Sequence, residues 1–143
     1  MPKSTNTCNR VLQLIFNAVG WPNVADNAAT APLANLFVSL HTADPGIGNA
    51  QTTNEVAYTN YVRIAVVRTA AGWTVATNSA VNTALAQFAQ CGVTGDTASH
   101  VAVGSAVSGA GNVLYAGALS AALAIALNIQ PQFSAGGLQV TES

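Results

Sequence analysis

Hydrophobic positions along this chain change period once. Near the start, Val11, Leu12, Ile15, Phe16 and Val19 recur at helical spacing. They predict a short helix from Ser4 to Gly20. Thr5 or Thr7 is placed to cap its start. Gly20 suits a left-handed end, and Pro22 prevents a restart. A polar, alanine-rich stretch runs from Pro22 to Pro32. Beyond it the pattern becomes one of short apolar runs separated by turn residues.

The runs predict strands at Leu33 to Thr42, Tyr58 to Thr69, Trp73 to Thr77, Ser79 to Asn82, Leu85 to Cys91, Ser99 to Ser105, Val113 to Ala118 and Leu119 to Asn128, with Leu138 to Thr141 closing the chain. Asp44-Pro45-Gly46, Ala71-Gly72, Asn78, Gly95-Asp96 and Ser108-Gly109-Ala110-Gly111 supply the turns. Val62, Ile64 and Val66 are expected on one strand face, and Val101 and Val103 are expected inward. Strands spaced by turns every 8–12 residues or so point to a β-sandwich or barrel. The expectation is one domain over 1–143: a helical arm at 1–20 and a sandwich at 33–143.

The stretch Val113 to Ile129 is long and nearly uncharged, so a membrane span competes with the strand reading. Its internal order decides. Leu119, Leu123, Ile125, Leu127 and Ile129 share odd positions with Ala121, while Ser120, Ala122, Ala124, Ala126 and Asn128 take the even ones. A period of two is a strand with one bulky face, expected in the core.

Charge changes the picture next. Asp, Glu, Lys and Arg make up 6% of the chain, and the net charge is -1. An ordinary domain carries about 25%. Such a surface has little charge to desolvate when another protein covers it, and little to hold copies apart. The composition therefore predicts life in an assembly, as a homo-oligomer with a trimer ahead of a dimer. The candidate contact residues are the helix stripe Val11, Leu12, Ile15, Phe16 and Val19, together with Arg63 and Arg68. With only Lys3, Arg10, Arg63 and Arg68 as basic groups, nucleic acid is not an expected partner. Nor is a membrane.

Candidate chemistry is thin. Cys8 and Cys91 have no CxxC neighbour, so metal binding is not expected; a single disulfide is the alternative to two free, partly buried thiols, which fit assembly in a cytoplasm. No apolar leader follows Lys3. Asp26, Asp44, Glu55, Asp96 and Glu142 fall in separate loops or termini, where lone carboxylates form turns and caps. No GxSxG or HExxH motif occurs. Gly104 to Gly109 lacks the lysine of a phosphate loop. His41 and His100 read as hydrogen-bonded strand residues. No catalytic, cofactor or metal residue is expected, and no enzyme.

Several segments carry a resemblance in order along the chain. They are Asn9 to Ala18, Val38-Ser39-Leu40-His41-Thr42-Ala43-Asp44-Pro45-Gly46, Glu55-Val56, Tyr61-Val62-Arg63-Ile64-Ala65-Val66, Ala98 to Gly104, Gly109 to Leu114 and Pro131 to Leu138. They resemble small virion proteins of tailed bacteriophages, often labelled tail-fibre proteins, whose members read as capsid decoration or cement proteins. The resemblance implies a jelly-roll-like β-sandwich, no enzyme and no cofactor. It implies a virion protein on the outer capsid surface, assembled in the bacterial host cytoplasm, that bridges major capsid protein subunits. The alternative is a tail or fibre-associated receptor-binding module. Gln90 to Thr97 lacks the Trp common to that loop in the family.

Overall fold

The computed structural model describes residues 3–21, 24, 32–46 and 48–143. Pro22 and most of the expected loop up to Pro32 lie outside the described residues, as do Asp26 and Ile47. The chain is mainly β, with antiparallel sheets and one short N-terminal helix, as expected for the sandwich class. Among the described residues the helix α1 spans Thr5–Phe16. The strands are β1 (Asn35–His41), β2 (Ile64–Val67), β3 (Trp73–Ala76), β4 (Ser79–Asn82), β5 (Ala86–Gln87), β6 (Asp96–Gly104), β7 (Val113–Ile125), β8 (Gln132–Phe133) and β9 (Gln139–Thr141). They form sheets ordered β2-β1-β6-β7, β3-β4-β9 and β5-β8. The chain gathers into two compact units. One holds Met1–Asn35, Val66–Ala86 and Phe133–Ser143; the other holds Leu36–Ala65 and Gln87–Gln132.

In the first unit, Ser4 caps α1 in place of the expected Thr5 or Thr7. Its Oγ accepts from the Thr7 N–H at 3.2 Å. The helix also stops before Gly20. Asn17 caps it, Ala18 adopts φ 54°, and the Val19 N–H reaches back to the Gln13 carbonyl at 3.1 Å. An L-residue in that region is strained by its Cβ. Ala18→Gly is therefore expected to raise stability by about 0.5–1 kcal/mol, read as a higher urea midpoint at unchanged slope.

Cys8, Leu12 and Phe16 are the buried residues of the helix. Phe16 meets Trp73 edge to face, with ring centroids 4.7 Å apart. Asn17 Nδ2 donates to the Trp73 carbonyl at 2.9 Å, and the Asn78 N–H donates to Asn9 Oδ1 at 2.7 Å. Helix and hairpin are thus fixed by one aromatic contact and a polar bond at each end. The β3–β4 hairpin turns through Thr77 and Asn78, both at positive φ, as a tight two-residue turn requires.

In the second unit β1 is the central strand and is buried almost throughout. It runs antiparallel to β6, from Phe37 opposite Gly104 to His41 opposite His100. Burial on β6 falls mainly on Ala98, Ala102, Val103 and Gly104, while Val101 is only half-buried. The expected inward pair Val101 and Val103 is thus half met.

The long strand β7 is real, and it ends at Ile125. Its half-buried and buried positions, Val113, Tyr115, Leu119, Leu123 and Ile125, are all odd and every even position is exposed, as expected. Ala98 lies opposite Leu123, but His100 lies opposite Ala118, so residues 119–122 face Ser99 alone. An odd number of extra residues shifts the alternation to the other face. Tyr115 and Gly117 share a face with Val103 and Val101; Leu123 and Ile125 share the opposite face with Ala98 and Asp96. The expected bulky face is met as far as Ile125, where the strand ends. Leu119 and Leu123 are half-buried, Ile125 is buried, and Leu127 and Ile129 are exposed. No helix among the described residues is long and apolar enough to cross a membrane.

Tyr58 to Arg63, expected as the first half of a strand, is a turn and loop. The Tyr61 N–H bonds the Tyr58 carbonyl at 3.0 Å, Asn60 has φ 78°, and only Ile64–Val67 is extended. Leu85 to Cys91 likewise contributes just Ala86–Gln87.

Candidate functional site

A buried polar cluster organises the second unit. Arg63 is 7% exposed. Its Nε and Nη2 donate to the two carboxylate oxygens of Glu55, each at 2.7 Å. Nη1 donates to the Ala106 carbonyl and Nη2 to the Gly109 carbonyl, both at 2.9 Å. One guanidinium thus holds the β6–β7 turn against the residues that precede β2. The bond to Glu55 raises the Arg63 pKa. Tyr61 donates its hydroxyl to Glu55 Oε1 at 2.8 Å and accepts from the Leu40 N–H at 3.1 Å. Burial raises the Tyr61 pKa, and it pushes that of Tyr58, which donates to the Ala89 carbonyl, up to about 12.

Gln51 is buried between these groups. Its Oε1 accepts from the Ala106 N–H at 2.9 Å, and its Nε2 donates to the Phe37 carbonyl at 3.2 Å. A Cβ on Gly104 would stand 2.1 Å from Gln51 Cδ, so only glycine opposite Phe37 leaves room for the amide. Ser39 Oγ lies 2.9 Å from His41 Nε2, and His41 Nδ1 lies 2.9 Å from the Thr53 carbonyl. The pair has the distances of a nucleophile and its base. Both residues are 0% exposed, so no substrate reaches the hydroxyl.

The expected contact residues are used differently from one another. Leu12 and Phe16 are buried, Val11 and Ile15 half-buried, and Val19 is 46% exposed. Arg63 is enclosed by its own unit. Arg68 donates Nε to Ile15 O at 2.7 Å, Nη2 to Leu14 O and Nη1 to Leu33 O, both at 2.8 Å. It satisfies carbonyls left open at the helix C-terminus, where a cation is also favoured. Neither guanidinium is displayed as a free surface charge. Gln51 and Glu55 escape sequence reading, because their partners lie 6 to 55 residues away and follow no period.

The second unit also displays apolar side chains at one end. Loops around Thr59, Gly92 and Asn128 are tied together by backbone bonds: Thr59 N–H to Thr94 O at 2.8 Å, Gly92 N–H to Thr59 O at 3.0 Å, Cys91 N–H to Ile129 O at 2.8 Å and Asn128 N–H to Cys91 O at 2.9 Å. Gln90 Nε2 adds a bond to the Asn128 carbonyl at 2.9 Å. On this braced end Val62, Val93 and Leu127 are 63%, 88% and 60% exposed. Among the described residues only Lys3 and Asp44 are charged side chains in the exposed class. Lys3 pairs with Glu142, and Asp44 Oδ1 accepts from the Gly46 N–H at 2.8 Å. Cys8 and Cys91 are free and buried. No group of three or more His, Cys, Asp or Glu among the described residues is placed to hold a metal ion.

An antiparallel β scaffold with two arginines bonded internally and apolar side chains on display suits a structural protein. Residues 4–141 match the family described as Podophage GP4 fiber I protein gp80, and the chain belongs to that family. It is a phage virion structural protein of the fibre-like kind. No curated protein matches the chain.

Proposed function

We propose that this protein is a fibre-associated subunit of the virion that works by contact alone, seated against neighbouring subunits through uncharged, apolar surface. The carrying observation is the end of the second unit, where Val62, Val93 and Leu127 stand out on loops locked by backbone hydrogen bonds. A rigid apolar display loses little conformational entropy when it is covered. The family's fibre designation supports the same reading. Val93→Asp and Leu127→Asp are expected to leave unfolding free energy within about 0.5 kcal/mol while reducing incorporation into virions. Full incorporation of both variants would remove this end from the contact.

A second reading is the head decoration or cement protein, a homo-oligomer that bridges major capsid protein on the outer capsid surface. The absence of heptads or fibrous repeats in the sequence favours it. Antibody labelling of virions by electron microscopy separates the two. Label confined to the tail region supports the fibre reading. Label spread over the head, with capsids that release DNA at lower temperature when the protein is missing, assigns it to cement. In either place attachment should survive about 1 M salt, because screening removes exposed ion pairs and leaves apolar burial. Release by salt alone would overturn the apolar contact.

A further inference from the structure

The strand β7 lies at the edge of its sheet, and no strand among the described residues lies beyond it. An edge strand points alternate N–H and C=O groups outward, where another strand can pair with them. Proteins guard such edges with short strands, charge, proline or bulges. The opposite edge, β2, is four residues long and stands between Arg63 and Arg68. In contrast, β7 runs for 13 residues without proline, and no Asp, Glu, Lys or Arg occurs from Thr97 to Thr141. Its register shifts at Leu114 and at residues 119–122. These shifts bend the strand on either side and leave Tyr115 to Ala118 regular, opposite Val103 to His100. Ala116, Gly117 and Ala118 in that stretch are exposed.

Glycine weakens the interior of a strand, and there it marks a bulge, a bend or the close approach of another chain. Gly117 sits in the regular stretch, takes no positive φ, and would carry a Cβ with nothing within 4 Å. At Gly72, Gly95 and Gly104, by contrast, a Cβ would stand within 2.2 Å of a neighbouring atom. The gap at Gly117 is therefore one that its own chain does not require. It lies on the same face as Tyr115, two residues earlier. Antiparallel pairing of β7 with its own copy about Ala116 uses that spacing. Tyr115 then stands opposite Gly117 of the second copy, and Gly117 opposite Tyr115 of the second copy, so each supplies a ring and a gap. Ala116 meets itself on the two-fold axis. Such symmetry sets any charge near the axis beside its own image, and like charges opposite one another are destabilising. A foreign strand could match a charge with its opposite; a second copy needs the neutral stretch that β7 has.

We propose that β7 is the edge through which this protein associates with itself, pairing antiparallel about Ala116 with the same strand of a second copy. The contact uses none of Val62, Val93 and Leu127, so it holds wherever in the virion that apolar end is seated. A charge exchange at the axis, made in the full chain, tests it. The wild type should sediment as a dimer at micromolar concentration. Ala116→Lys and Ala116→Glu should each sediment as monomers and melt close to the wild type, because residue 116 is exposed. Mixed in equal amounts the two variants should return the dimer, since Lys then faces Glu across the axis. Gly117→Val should also be monomeric, because its own chain leaves room for the side chain and the facing ring does not. A monomeric or trimeric wild type would overturn the proposal, as would a dimer indifferent to these changes. Monomeric variants that fail to recombine would mean that the edge takes a strand other than its own copy, and would overturn it too. Should the variants not fold, amide exchange of the wild type on dilution decides. Alternate amides from Tyr115 to Ala118 should lose protection as the dimer dissociates, and protection independent of concentration would overturn the pairing.

Discussion

Replacing Arg63 by alanine is expected to remove about 3–5 kcal/mol of stability. The side chain makes four short bonds, two to Glu55 and two to carbonyls of the β6–β7 turn. Truncation leaves the Glu55 carboxylate with only the Tyr61 hydroxyl as a side-chain donor, and it leaves Ala106 O and Gly109 O without their guanidinium partner. Uncompensated buried charge, rather than the lost pair itself, makes the effect large. Arg63→Lys should recover little, since an ammonium cannot reproduce the planar fork that spans both carboxylate oxygens. Removing both charges, as Arg63→Met with Glu55→Leu, should cost much less than the sum of the single changes. Urea unfolding of the four proteins in a double-mutant cycle measures this. A loss under about 1 kcal/mol in Arg63→Ala would mean that the turn is held by Gln51 and backbone alone.

This buried pair also explains why charge-poor composition and an apolar display go together here. Two of the four basic groups, Arg63 and Arg68, are spent on carbonyls and a carboxylate inside their own units. Little charge remains to build a salt-sensitive contact.

Local signals carried much of the fold, and long-range ones did not. Helical spacing from Val11 to Val19 located α1, and the hairpin at Asn78 was legible because only a few residues accept positive φ. The Gly-rich turn between β6 and β7 was legible for the same reason. Tyr58 to Arg63 misled because the alternation of Val62, Ile64 and Val66 was extended back over it, while Tyr61 and Arg63 turn inward to one carboxylate eight residues or fewer upstream. The 119–122 bulge left no mark in the sequence. Alternation in sequence is blind to extra residues opposite Ser99. Of the buried cluster, a usable signal existed in composition: a lone Glu55 shortly before Arg63, in a chain with so few charges, is a candidate internal pair.

The second large effect is expected at Asn82, which is 1% exposed in the first unit. Its Oδ1 accepts from the Leu138 N–H, and its Nδ2 donates to the Ala84 and Ser134 carbonyls, all at 2.8 Å. One amide therefore fixes the segment leading into β9 against β4. Asn82→Leu should lose about 3 kcal/mol or more, because a buried N–H and two carbonyls are left unpaired at once. Asn82→Asp is the sharper test, since shape is kept and only the donor is removed. A carboxylate would still accept from Leu138, yet its second oxygen would face two carbonyl oxygens. Burial and that repulsion raise the folded pKa of the new carboxyl above its unfolded value of about 3.9. Stability linked to a raised carboxyl is present at low pH, when the group is protonated and can donate one bond, and is lost as pH rises through the folded value. The deficit of Asn82→Asp relative to wild type should therefore be smallest near pH 4 or below and largest near pH 7. Thermal melts across that range check it, and a deficit independent of pH would mean that the Nδ2 donors do not hold this turn.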